Sequence, residues 1–315
     1  MARGEVRLGL VETCLRRPIA SQAGTISSPS EMAGATWSRD EVEATVGDYF
    51  AMLQQWLAGK RVNKAERNAR LRMLLRSRSK ASVEFKHRNI SAVLTLRGYP
   101  YLTGYRPAYN FQALLEQVVL EFLEVHRDFF KPLVTGPVLS PTTSPDPKRI
   151  NPNRLFEAPP DAMNIPHIVW SPTARLRHVD FVARDAANRK LGRRGEEFVV
   201  EIERRRLHDG GHREFANRVE WTAQVSGEGA GYDIRSFNAD GTTRLIEVKT
   251  TGLGKEFPFN VTANEVRCSE ERPSEFHLYR VFNFGPDPRL YMLPGAISRS
   301  CHLDPTQYRA FVQRP

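Results

Sequence analysis

The chain has 315 residues, 40% of them apolar, and a formal net charge of +10. That is enough length and apolar content for two soluble domains, and no uncharged apolar run is long enough to cross a bilayer. Three cysteines, Cys14, Cys268 and Cys301, lie far apart without CxxC spacing, which argues against a disulfide framework or a zinc knuckle and fits a reducing cytoplasm.

Residues 1–36 carry Ser, Gly, Ala and scattered Arg but no secretory apolar stretch, and read as a disordered segment. Ser38 with Glu41 is a capping-box signature, and Val42, Val46, Phe50, Leu53 and Leu57 follow at helical spacing, predicting a first helix over 39–58. Asn63 with Glu66 repeats the start signal for a second helix through Leu75. A third segment opens at Ser82, with Val83, Ile90, Val93 and Leu94 facing inward, and a fourth helix is expected from Asn110 to Val125. Residues 37–130 thus read as a helical domain.

The positive charge is unevenly placed. From Lys60 to Arg106 there are thirteen Lys and Arg against two acids, a balance of +11, whereas from Gly192 to the end eighteen face eighteen. A phosphate backbone is therefore expected on the helical domain. Within it, Lys86, His87, Arg88 and Asn89 are the residues expected at a surface of the helix-turn-helix kind. The competing reading makes them the solvated face of an amphipathic helix. Tyr99, Tyr101, Tyr105 and Tyr109 could stack on bases, but packing of a loop onto the core is the stronger expectation.

Ten of the twenty-one prolines lie between Lys131 and Pro172, so residues 131–174 read as a stiffened linker. A second domain follows over 175–315. Helical periodicity from His178 to Leu207, with a break expected at Gly192 or Gly195, places Glu196 near a helix start, where it either approaches a metal or complements the helix dipole. Strands are expected over 218–225, 231–237 and 244–250, the last two joined by the hairpin turn Asn238-Ala239-Asp240-Gly241. Gly227, Gly229 and Gly231 lack a phosphate-loop pattern and are expected to permit a close approach to the Asp233 strand. Thr262 with Glu265 forms another capping box, which accounts for Glu265 without chemistry. His208 and His212 read as surface loop residues.

In a strand alternate side chains share a face, so Glu247 and Lys249 project together while Val248 turns into the core. A neighbouring strand carrying Asp233 brings a second carboxylate, and two carboxylates suit Mg²⁺. This arrangement, Asp233…Glu247-Val248-Lys249, resembles the PD-(D/E)XK nuclease superfamily. More narrowly, Leu191-Gly192-Arg193-Arg194-Gly195-Glu196-Glu197-Phe198-Val199, the Asp233 strand, Ile246-Glu247-Val248-Lys249-Thr250-Thr251, Phe259 to Glu265 and Leu278 to Phe282 resemble the protein NO VEIN C-terminal family over roughly 175–295. Tyr232 stands where the superfamily pattern has proline.

The resemblance implies an α/β (α+β) restriction-endonuclease-like domain after the mainly α-helical one. It further implies Mg²⁺-dependent phosphodiester hydrolysis, with Mn²⁺ as a substitute. Asp233, Glu247 and the Val248 carbonyl would hold the metal, Lys249 would act on water or phosphate, and Glu196 would assist. Asn264 and Arg280 resemble positions flanking the cleft, although Arg280 could equally make a structural ion pair. DNA is the expected partner of a cytoplasmic, restriction- or defence-like enzyme, and a homodimer is a candidate arrangement for cutting two strands. Two alternatives stay open: a non-catalytic interaction module that keeps the fold, and an RNase or toxin, since nothing in the chain identifies a reader of the 2′-hydroxyl.

Overall fold

The computed structural model describes residues 36–57, 60–75, 77–127, 143–161, 181–226 and 228–304, so the disorder expected over residues 1–36 lies outside them except for Thr36. The chain divides into two compact units, Met1–Leu139 with Asp161–Arg184, and Ser140–Pro160 with Asp185–Pro315.

The first unit is helical: α1 (Arg39–Leu57), α2 (Lys64–Leu75), α3 (Lys80–Leu96) and α4 (Ala113–Val125). α3 is central, packing on α1, α2 and α4. It starts earlier than Ser82 because Ser79 is its N-cap, accepting from the Ser82 amide at 3.1 Å. α1 packs on α3, with Val42, Val46, Tyr49, Phe50 and Leu53 of α1 and Val83, Ile90 and Leu94 of α3 all buried. The segment between α3 and α4 folds back over this interior and is tied by the Tyr49 hydroxyl, which shares a hydrogen bond with Ser91 Oγ at 2.8 Å and accepts from the Leu102 amide at 2.9 Å. All four tyrosines from Tyr99 to Tyr109 are buried there, so they pack the loop rather than present rings to a base.

The second unit is a five-stranded sheet in sequential order: β1 (Glu220–Trp221), β2 (Ile234–Phe237), β3 (Thr243–Thr250), β4 (Phe276–Phe282) and β5 (Arg289–Pro294). β3 and β4 are parallel and the other pairs antiparallel. Parallel pairing needs a crossover, which α6 (Ala263–Glu271) supplies. On one face Ile246, Val248, Tyr279 and Val281 receive Leu191, Phe198, Val199 and Ile202 of the long helix α5 (Phe181–Asp209). Leu245, Phe276 and Leu278, on the opposite face, pack with Ile297 and with Cys268 of α6.

Three expectations are corrected. α5 runs without a break at Gly192 or Gly195, because burial of its apolar stripe outweighs the low helical propensity of glycine. The strand expected over 218–225 shrinks to β1, and Thr222–Ser226 turns helical. Within the expected linker, residues 143–160 belong to the second unit: Leu155 is buried in its core, and Phe156 bridges to Leu290 of β5. The surrounding prolines mask these apolar anchors in the sequence.

Two glycines let helices approach the sheet. At Gly195 a Cβ would stand 2.7 Å from Thr250 Cβ; at Gly231, where φ is +80°, it would stand 2.7 Å from Cys268 Cβ. Gly195→Ala is therefore expected to lower the melting temperature, since overpacking costs about 1–3 kcal/mol. Thermal unfolding followed by circular dichroism checks it, and an unchanged transition would show that α5 and β3 can separate without cost.

Candidate functional site

β3 leaves the hairpin as Thr243–Thr250 and presents Glu247 and Lys249 on the α6 face. Lys249 Nζ lies 2.7 Å from Glu247 Oε1 and 2.8 Å from Glu265 Oε2. Asp233, one residue before β2, donates its amide to the Ile246 carbonyl at 2.9 Å, and its Oδ2 accepts from the Val248 amide at 2.8 Å. Val248 thus reaches this group through its N–H. Glu196 reaches it from α5, accepting at Oε2 from Trp221 Nε1 at 2.8 Å. The site is assembled by both helices and by the β2–β3 pair.

The electrostatics follow from burying several acids beside one ammonium. Burial raises the Asp233 carboxyl to about 7, with Glu196 and Glu265 adding to the rise and the Val248 amide and Lys249 opposing it. Glu247 is held well above the usual carboxylate range, chiefly by burial and further by Asp233 and Glu265, against the pull of Lys249. Burial alone would lower Lys249, but Glu247 and Glu265 outweigh it and keep the ammonium charged. A site with more carboxylate than cation favours a further positive charge. Among the described residues no group of three or more His, Cys, Asp or Glu is disposed around a common metal position. Asp233 and Glu247 are the two carboxylates that act on one another beside Lys249.

Glu265 is the residue that sequence reasoning missed. Its Oε2 accepts from the Thr262 amide at 3.1 Å, completing the expected capping box, and also pairs with Lys249. The cap was a sufficient local explanation, and only the crossover geometry turns the same carboxylate toward β3. For Glu196, the helix-dipole reading fails because the residue lies in the middle of α5.

The remaining sequence candidates are placed elsewhere. Arg280 adjoins Lys249 in the β3–β4 register but is buried, donating to the Phe257 carbonyl at 3.0 Å and lying 5.0 Å from the Phe259 ring centroid. Burial lowers it to about 10, so it stays charged at neutral pH. It is 2% exposed and makes no carboxylate pair among the described contacts. Asn264 donates to the Gly229 carbonyl at 2.9 Å and accepts from Arg267, fastening α6 to the turn before β2.

The expected recognition surface is also corrected. Lys86, His87 and Asn89 are buried in α3. Lys86 Nζ donates to Gln112 and lies 4.6 Å from the Trp37 ring centroid, with burial lowering it to about 8. Burial lowers His87 to about 3 and leaves it neutral. Asn89 donates to the Ala108 and Asn110 carbonyls at 2.6 and 3.0 Å, and Arg88 donates to the Arg106 carbonyl at 3.1 Å. Because α3 is covered by three helices and a loop, this basic run has no free solvated face.

Fold and site define the second unit as an α+β domain: a mixed sheet covered by helices, carrying an acid–lysine cluster at the β2–β3 pair. Residues 195–293 match the family model described as Protein NO VEIN, C-terminal. Over that span the chain is similar to this family. No curated protein and no solved structure matches the chain. Among the described residues no helix is long and apolar enough to cross a membrane.

Proposed function

We propose that the chain is a metal-dependent nucleic-acid hydrolase acting on DNA, with its site on the β2–β3 pair. One observation carries this reading: Asp233, Glu247 and Lys249, spread over seventeen residues of sequence, converge through the Val248–Asp233 hydrogen bond and the Lys249–Glu247 pair. Asp233 and Glu247 would hold Mg²⁺ or Mn²⁺. When bound, such an ion supplies Lewis-acid stabilisation of the phosphate and a nucleophile at neutral pH. Lys249, kept charged by its two carboxylates, would stabilise negative charge developing on the phosphate oxygens. Glu196 would orient the Asp233 side of the site, fixed by its bond to Trp221.

The test is cleavage of supercoiled plasmid by the full chain with Mg²⁺, with Mn²⁺ and with EDTA, beside Asp233→Asn. Metal-dependent nicking or linearisation is expected from the wild type. Asp233→Asn should lose most of it, together with the heat of Mn²⁺ binding measured by calorimetry. Cleavage that survives EDTA would refute the metal-dependent reading.

The non-catalytic reading has one observation in its favour. Lys249 is clamped by both Glu247 and Glu265, as a structural ion cluster would be. It predicts that the wild type is silent on DNA and RNA substrates and takes up no divalent ion, whereas the hydrolase predicts turnover and uptake.

A further inference from the structure

The fold sorts the cations of the basic segment into two groups. One group is absorbed internally. Arg78 bonds Glu41, Arg67 pairs with Asp48, Arg97 pairs with Glu116, Lys64 donates to the Thr103 carbonyl, and Lys86 is buried against Trp37 and Gln112. The other group faces solvent: Lys60, Arg61, Arg70, Arg72 and Lys80 are all exposed and lie in the turn before α2, on α2 itself or at the first residue of α3, with Arg72 Nε also donating to the Arg78 carbonyl at 3.4 Å. Among these, the described carboxylate contacts amount to one, between Lys80 and Glu84 at 3.9 Å and well exposed. Such a contact contributes little.

α2 buries Asn68, Leu71 and Leu75. At helical spacing its opposite side carries Ala65, Ala69 and Met73 between Arg72 on one flank and Arg70 on the other. Small side chains at the centre of a helix face let a partner come close, and flanking guanidiniums match phosphate oxygens bidentately. Met73 is 71% exposed, Leu74 50% and Phe85 of neighbouring α3 43%, so apolar contact is available beside the cations.

We infer that the outer face of α2, with its flanking turns, docks the phosphodiester backbone of duplex DNA and delivers it to the chain. This rests on the nucleic-acid reading above and replaces α3 by α2 as the interface. The second unit, balanced in charge from residue 192 onward, has no comparable excess, and affinity for a polyanion grows with the number of phosphates neutralised. An anionic membrane is the weaker match. Arginine, whose planar fork pairs with a phosphodiester bidentately, predominates over lysine on the helix itself, while Glu66 on the same outer side opposes either polyanion.

The experiment is fluorescence anisotropy of a labelled DNA duplex with the full chain in EDTA, so that binding is read without cleavage and the result is independent of Asp233 and Lys249. Arg70→Glu/Arg72→Glu is compared with Arg213→Glu/Arg299→Glu, which makes the same charge change on exposed residues of the second unit. The α2 variant is expected to bind at least about tenfold more weakly and to lower the salt slope by about 2, because each lost phosphate contact removes roughly one released counterion. The control should bind like the wild type. Arg70→Gln/Arg72→Gln should fall between wild type and reversal, and Met73→Lys should tighten binding, which keeps the inference testable if the reversal disturbs folding.

Equal weakening in both reversals, wild-type affinity in the α2 variants, or no duplex binding by the wild type at low salt would each overturn the inference. So would loss of binding confined to phosphatidylserine-containing vesicles. A catalytically silent chain that still binds duplex through α2 would sink the hydrolase and leave this interface standing.

Discussion

Lys249→Ala is expected to lower metal-dependent cleavage by about 10²–10³-fold, the range found when one group aimed at developing charge is removed. The size follows from position. Lys249 shares a strand face with Glu247, two residues away, and its ammonium sits within 2.8 Å of carboxylates from both β3 and α6. Nothing else described in the site carries positive charge to the same point: neighbouring Arg280 is turned under Phe257 and Phe259.

The loss should fall on kcat rather than KM, because docking on α2 is untouched. Removing the ammonium also leaves Glu247 and Glu265 without their cation, so Lys249→Met and a thermal melt accompany the assay. Undiminished turnover by a folded Lys249→Ala would take this residue out of the chemistry. Glu265→Gln separates the two tasks of its residue. The amide oxygen can still accept from the Thr262 amide, preserving the cap, while the second negative charge beside Lys249 is lost. A smaller fall in turnover with an unchanged melt is expected.

Glu203→Ala is expected to be the most destabilising substitution outside the site, at about 3–5 kcal/mol, the cost of leaving one member of a buried charged group unpaired. Glu203 on α5 is wholly buried. Its carboxylate accepts from Arg206 at 2.8 and 2.9 Å, from Ser236 at 2.6 Å and from the Tyr279 hydroxyl at 3.0 Å. Arg244 closes the group by donating to Tyr279 at 2.7 Å. One side chain therefore joins α5 to β2 and β4, and through Tyr279 to β3.

Burial pushes the Glu203 carboxyl up, but Arg206, Ser236 and Arg244 outweigh it and hold the group below the usual glutamate range. A depressed folded pKa contributes stability above the unfolded value, about 4.3, and that contribution is lost as pH falls through the folded value. Wild type should thus lose stability in acid more steeply than Glu203→Gln. Denaturant melts of both at neutral and acidic pH check this, and parallel curves would show that Glu203 does not govern the acid limb.

Much of this was legible in local pattern. The starts of α1 and α6 follow from Ser38–Glu41 and Thr262–Glu265, whose side chain to backbone bonds are complete within three residues. The β2–β3 hairpin follows from Asn238 to Gly241, where the Asn238 amide donates to the Thr242 carbonyl at 2.8 Å. The shared face of Glu247 and Lys249 needs only the two-residue period of a strand.

What the sequence could not determine depends on which surfaces meet. Lys86, His87 and Asn89 have the residue types of a solvated face, yet α3 packs against three helices and a tyrosine-rich loop, so Lys86 bonds Gln112, Asn89 bonds two carbonyls and His87 is held neutral by burial. Leu155 and Phe156 stand among prolines and still anchor to β5. Glu265 has a complete local explanation as a cap and gains its second partner only because the crossover after β3 sets α6 over Lys249. Capping, turns and strand alternation are settled by contacts a few residues apart, so they can be read along the chain; burial and charge pairing between distant residues arise only when helices and sheet close upon one another.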